Sequence, residues 1–163
     1  MELLATIPGI GERAAQVIIS EIGVEMSRFP TAAHLASWAG LCPGNNESAG
    51  RHRSGKTRKG NKELRQILTE CAWSAGRTST YLGAQFRRFH RRFGKKGGRK
   101  AALATAHTLI VIIWHVLAET TAYRDLGSDY FTRRFDNPDA RKRRLIRELE
   151  ALGHKVSIEP TAA

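Results

Sequence analysis

Apolar residues recur at helical spacing along most of the chain, and the recurrence stops between Cys42 and Lys62. Leu3, Leu4 and Ile7 make a short apolar face. The tight turn Pro8-Gly9-Ile10-Gly11 follows, and Ala14, Val17, Ile18 and Ile22 then mark a second helix. Phe29-Pro30-Thr31 closes a turn, and Thr31 is placed to cap a helix through Ala32, Leu35, Ala36 and Trp38 that Gly40 ends. Beyond the polar gap, Asn61 is a good cap for a stripe of Leu64, Ile67, Leu68, Cys71 and Ala72, with Gly76 as the stop. Phe86, Phe89 and Phe93 share one face of a helix that starts near Tyr81. The segment from Arg99 to Glu119 is apolar around most of its circumference and reads as the central, buried helix. A polar linker spans Tyr123 to Phe135. Asp136 or Asn137 then caps a last helix with Pro138 in its first turn and Gly153 after its end. His154 to Ile158 is a candidate short strand.

These elements predict an all-α fold that opens with a helix–hairpin–helix motif over 1–23 and carries a long basic, glycine-rich loop over 42–62. The helical domain is expected over 1–122, with a basic linker and helix over 123–163. At 163 residues the chain is long enough for a real core. No apolar run reads as a membrane span, because the best one, Leu109 to Trp114, is flanked by His107 and His115. The first residues do not read as a signal peptide. Cys42 and Cys71 form no metal-type pair, so reduced thiols in a cytoplasmic protein are expected, with Cys71 in the core.

Charge changes the picture. A formal net charge of +12 and a pI near 10.5 favour polyanions as partners. Between Arg51 and Lys62 the loop holds Arg51, Arg53, Lys56, Arg58, Lys59 and Lys62 without an acid, and glycines at 44, 50, 55 and 60 keep its backbone permissive. Long polar loops in compact domains are uncommon and are usually functional or disordered. A second basic element, Arg87, Arg88, Arg91, Arg92, Lys95, Lys96, Arg99 and Lys100, again lacks an acid, where an ordinary solvated face mixes signs. Its phenylalanines suit core packing better than base stacking.

The Pro8–Gly11 turn resembles the helix–hairpin–helix motif, whose backbone N–H groups bind a DNA phosphate without reading sequence. Gly9 and Gly11 are then phosphate-contacting residues; the alternative is a corner in which the glycines only turn the chain. Gly50 to Thr57 satisfies the nucleotide-binding pattern G-x-x-x-x-G-K-[ST], but the motif needs a buried strand before it and a helix beginning at its lysine. Asn-Asn-Glu-Ser-Ala precedes it and the next cap is Asn61, so the context argues against that reading, and a phosphate-loop nucleotidase stays a second rival. His107 and His115, two turns apart with no third ligand nearby, suit packing or capping rather than metal binding.

Taken in order, the Pro-Gly-Ile-Gly hairpin, SWAGLCPGNNESAGRHRSGKTRKGN, LRQILTECAWSA and FHRRFGKKGGRKAALATAHTLIVIIWHVL resemble the C-terminal domain of the insertion-sequence one-ten (also one-one-six and nine-oh-two) family of bacterial transposases. The resemblance runs to about Asp129. It implies that Ser48 matches the family's serine nucleophile. It also implies that full-length members add an acidic, metal-binding N-terminal domain and act on DNA under guidance of a structured RNA, as homo-oligomers. Nothing in this chain corresponds to that acidic domain. Mg2+ is therefore expected only with it, no cofactor is expected here, and the chain alone is expected to be inactive. The chemistry implied is attack by Ser48 Oγ on a DNA phosphodiester, with Arg51, Arg53 and Lys56 offsetting charge and Glu47 as a weaker candidate base. A non-catalytic helix–hairpin–helix nucleic-acid-binding module is the alternative.

Overall fold

The computed structural model describes residues 2–44, 46–135 and 138–157; at 46–48, 52–54, 135, 138, 140 and 141 it describes the backbone alone. The chain divides into two compact units, Met1–Ser128 and Asp129–Ala163.

The first unit is built on α6, Gly98–Ala118. Its Ala101, Ala102, Ala106, Leu109, Ile110 and Ile113 are fully buried, with α1 (Glu2–Ala5), α3 (Ala32–Trp38), α4 (Lys62–Gly76), α5 (Tyr81–Phe93) and a 3-10 turn (Met26–Arg28) packed around it. α2 (Glu12–Ile22) lies against α1 and α4 through Ala15, Ile18 and Ile22. Each leucine or isoleucine buried in this way is worth about 1.5–3 kcal/mol. The α6 helix corrects one expectation: at 21 residues it is long and apolar enough to cross a membrane. His107 and His115 do not interrupt it, since the mean hydropathy stays at 1.9. Helices of the same unit cover it, so it serves as a core helix.

The caps follow the sequence. Thr31 Oγ1 accepts from His34 N–H, Asn61 Oδ1 accepts from Leu64 N–H at 2.9 Å, and Thr80 Oγ1 accepts from Gly83 N–H. Asn61 also donates through Nδ2 to Glu21 Oε2 at 2.6 Å, which ties the start of α4 to α2. Trp114 Nε1–H donates to the Phe29 carbonyl at 2.9 Å and fixes the connection between α2 and α3 on α6. Tyr123 N–H donates to Thr6 Oγ1, and Asp125 Oδ1 accepts from Tyr81 N–H, so the chain stays on the first unit past the end of α6.

Three local expectations are corrected. The gap between α3 and α4 is not all loop: β1 (Asn46–Ser48) and β2 (Arg51–Ser54) form a two-stranded antiparallel ribbon. The polar linker contains a short helix, α7 (Tyr130–Phe135). His154–Ser157 forms no strand, since no strand pairs with it among the described residues, and Ile158 lies outside them. In the second unit, α8 (Pro138–Ala151) follows α7, and its cap at 136–137 lies outside the described residues. There Arg133 pairs with Asp129 at 2.9 Å, and Arg134 donates to the Tyr130 hydroxyl.

Candidate nucleic-acid interface

The basic segment leaves and rejoins the helical body through close backbone contacts that only glycine permits. A Cβ on Gly60 would sit 2.5 Å from the Ala39 carbonyl carbon, and one on Gly44 would sit 2.5 Å from the Lys56 carbonyl oxygen. Farther out the two limbs pair, with Ser48 opposite Arg51, Glu47 opposite His52 and Asn46 opposite Ser54, and with an irregularity between Asn46 and Glu47. Ala49 and Gly50 close the ribbon with φ of 51° and 71°. Two consecutive left-handed residues make the turn whose twist matches paired strands. Ala49 carries a Cβ, so this conformation costs it about 1–2 kcal/mol.

The sequence-predicted residues divide by position. Ser48 ends β1 at the turn; its side chain and that of Arg53 lie outside the described residues. Arg51 follows the turn, exposed, and Lys56, Arg58 and Lys59 are exposed on the returning limb. No helix starts at Lys56; α4 begins at Lys62, and the phosphate-loop geometry is absent. On α5 and after it, Arg88, Arg91, Arg92, Lys95 and Lys96 are exposed. Arg87 has a structural task, because its Nη1 donates to the Gly76 and Thr78 carbonyls at 3.3 and 3.1 Å and satisfies the end of α4.

A groove of about 860 Å³ joins the two basic elements. Leu41, Pro43 and Gly55–Thr57 line it from the base of the ribbon, Arg65 from α4, Phe89 and Phe93 from α5, and Lys100, Leu103, Ala104, His107 and Thr108 from α6. The phenylalanines were expected to be core. Phe86 is buried and Phe89 packs against the core, whereas Phe93 is 40% exposed at the groove, its ring centroid 6.2 Å from that of Phe89. Burial lowers the pKa of His107 from its ordinary value. His115 instead pairs with Glu119 at 2.8 Å near the end of α6. Arg65, Lys100 and His107 had no site role in the sequence reading. Arg65 and Lys100 carried a signal as cations, but only the packing of α4 and α6 brings them to one groove.

Gly9 and Gly11 stand elsewhere. Gly9 has φ of 90° and packs so closely on α4 that a Cβ would meet the Cys71 carbonyl oxygen at 2.5 Å; Gly11 precedes α2 with open space around it. Their groove holds Glu12, Glu63 and Glu70 against one cation, Arg13. Cys71 below it is buried as expected, and burial pushes its thiol up to about 11. Among the described residues no group of three His, Cys, Asp or Glu side chains is placed to hold a metal ion.

Residues 1–91, more than half of the chain, match the profile of the Transposase IS116/IS110/IS902 family. The chain belongs to this family. A pilin gene-inverting protein of Moraxella bovis is 35% identical over 127 residues, 74% of this chain and 38% of that protein. The insertion element IS110 uncharacterized 43.6 kDa protein of Streptomyces coelicolor is 31% identical over 122 residues, 74% of this chain and 29% of its own length. The transposase for insertion sequence element IS1328 of Yersinia enterocolitica is 26% identical over 129 residues, covering 74% of this chain and 36% of its own. The chain therefore spans about a third of the length of these family relatives.

Proposed function

We propose that this chain is the serine-bearing, DNA-facing C-terminal part of a transposase that carries out strand exchange in the bacterial cytoplasm. The observation that carries the reading is Ser48 at the strained turn of a ribbon whose returning limb is cationic, in a chain of a transposase family. Relatives named as a transposase and as a pilin gene-inverting protein support DNA rearrangement as the task. In the reaction, Ser48 Oγ bonds to the phosphorus of a DNA phosphodiester as the bond to the leaving sugar oxygen breaks. The serine proton passes to a base, and the leaving oxygen takes up a proton. The serine–phosphate link keeps the bond energy, so the reverse attack rejoins a new strand. Arg51, the register partner of Ser48, with Arg53 and Lys56, offsets the charge that builds on the phosphoryl oxygens. Arg58, Lys59 and the exposed α5 cations hold flanking phosphates.

A structured RNA choosing the target, assembly into a homo-oligomer and Mg2+ belong to the same proposal for the longer protein. Mg2+ would be held by the acidic domain that the resemblance implies. The test is Ser48→Ala in a full-length protein carrying this domain. Recombination and the denaturation-resistant protein–DNA adduct should vanish while DNA binding persists within about twofold, because the charge that supplies the affinity is untouched. An adduct that survives in Ser48→Ala rules the serine out. Loss of the adduct in Ser54→Ala or Thr57→Ala alone moves the nucleophile to that residue.

A further inference from the structure

We propose that the groove between the base of the ribbon and α5–α6 receives one unpaired, unstacked base of a bound nucleic-acid strand, with Phe93 as its stacking surface and Lys56, Arg65 and Lys100 along the adjoining phosphates. The inference rests on the DNA-binding reading above and adds a site to it.

The composition of the groove argues for this occupant. Its floor is apolar and aromatic, three cations from three separate elements line it, and among the described residues no carboxylate does. A purely apolar ligand would gain nothing from those cations, and a phosphate alone would gain nothing from the phenyl rings. A nucleotide unit uses both. Phe93 sits at the end of α5 beside Phe89, with 24° between the ring planes, and its 40% exposure leaves aromatic surface open at the groove. Every base has a π-face, and stacking on an aromatic side chain is worth about 1–3 kcal/mol per base. The volume lies within the range of about 300–1,000 Å³ that holds small ligands. His107 also lines the groove, and burial lowers its pKa, which favours the neutral ring with one N–H donor and one acceptor nitrogen. The returning limb of the ribbon forms part of the wall through Gly55–Thr57, so the groove adjoins the ribbon.

The test compares the 163-residue chain on a duplex carrying a single bulged 2-aminopurine with its binding to the same duplex fully paired, at one salt concentration. The bulged duplex should bind at least about fivefold tighter, with fluorescence quenched by stacking on the protein. Phe93→Ala should erase the preference and the quenching while paired-duplex affinity holds. Phe93→Trp should restore both. Unfolding midpoints establish that the variants are folded, as expected for a residue outside the buried core. A preference that survives in folded Phe93→Ala, or no preference in the wild type, overturns the proposal. Adenosine monophosphate that binds the groove as tightly as the bulged strand overturns the strand as its occupant. Failure to bind either duplex overturns the DNA-binding reading itself, and the base site with it.

Discussion

Gly40 and Gly60 touch backbone to backbone where the basic ribbon leaves and rejoins the helical body: a Cβ on Gly40 would stand 2.8 Å from Gly60 N, and Gly40 holds φ of 70°. The contact gives both limbs a fixed root on the N-terminal end of α4 and the C-terminal end of α3. It is the reason a glycine-rich polar stretch can present Ser48 and its cations from a defined base.

Gly60→Ala should therefore destabilise the chain by about 1–3 kcal/mol, as overpacking against backbone does. Gly55→Ala serves as the control, with nothing near its would-be Cβ, and should stay within about 0.5 kcal/mol. Urea unfolding midpoints check both. Equal effects at the two positions would remove the special status of the root.

The cations of α5 divide into one that braces the fold and others that face outward. Arg91→Gln with Arg92→Gln should leave stability unchanged and reduce the salt slope of duplex binding by about 1.8, the share of two phosphate contacts. Arg87→Gln should instead cost about 1 kcal/mol of stability, since it removes the donors on the Gly76 and Thr78 carbonyls. Salt-slope titrations and thermal unfolding separate the two outcomes.

His107 makes stability depend on pH. Burial lowers its folded-state pKa below the ordinary 6.5, so between those two values the unfolded chain binds more protons than the folded one. Stability should be fully present above about pH 6.5 and fall as the pH drops through and below that value. His107→Gln should flatten this slope. Urea midpoints at about pH 7.5 and about pH 5.5 measure it, and a slope unchanged in the variant assigns the dependence to another group.

Much of this was legible in the sequence because helices here are specified locally. The caps Thr31 and Asn61, the stop at Gly76 and the apolar girdle of α6 are all decided within a few residues of each other. The ribbon was not legible, because its strands are short and polar and lack the alternation that marks a half-buried strand. Among the described residues, the turn pair Ala49-Gly50 and the glycine contacts at 40, 44 and 60 specify it, and those contacts are tertiary. The groove was illegible for the same reason: Arg65, Phe93 and Lys100 lie on three helices, and no periodicity within one segment reports their convergence. Arg87 was grouped by sequence with its neighbours, and its hydrogen bonds to the Gly76 and Thr78 carbonyls add a contact with the fold that no local pattern reports.

The Pro8–Gly11 turn yields the sharpest separation between a corner and a phosphate clamp. Gly9 cannot test it, because alanine there is opposed both by a φ of 90° and by the α4 backbone, so Gly9→Ala should unfold or strongly destabilise the chain whatever its ligands. Gly11 can. It sits in extended backbone before α2 with open space around it, so Gly11→Ala should fold normally, and the added methyl would crowd a phosphate drawn to the α2 N-terminus. The surroundings oppose such a phosphate. Glu12 occupies the first turn of α2, and Glu63 and Glu70 line the same groove against Arg13 alone. Three carboxylates facing one guanidinium repel a polyanion at a helix end whose attraction amounts to about 0.5–1 kcal/mol. Gly11→Ala should accordingly change duplex affinity by less than about twofold, with the ribbon and α5 supplying the binding. Glu63→Gln with Glu70→Gln should raise affinity and make it newly sensitive to Gly11→Ala. A tenfold loss from Gly11→Ala in the otherwise unaltered chain would instead make the turn a phosphate clamp that works against its own acidic neighbours.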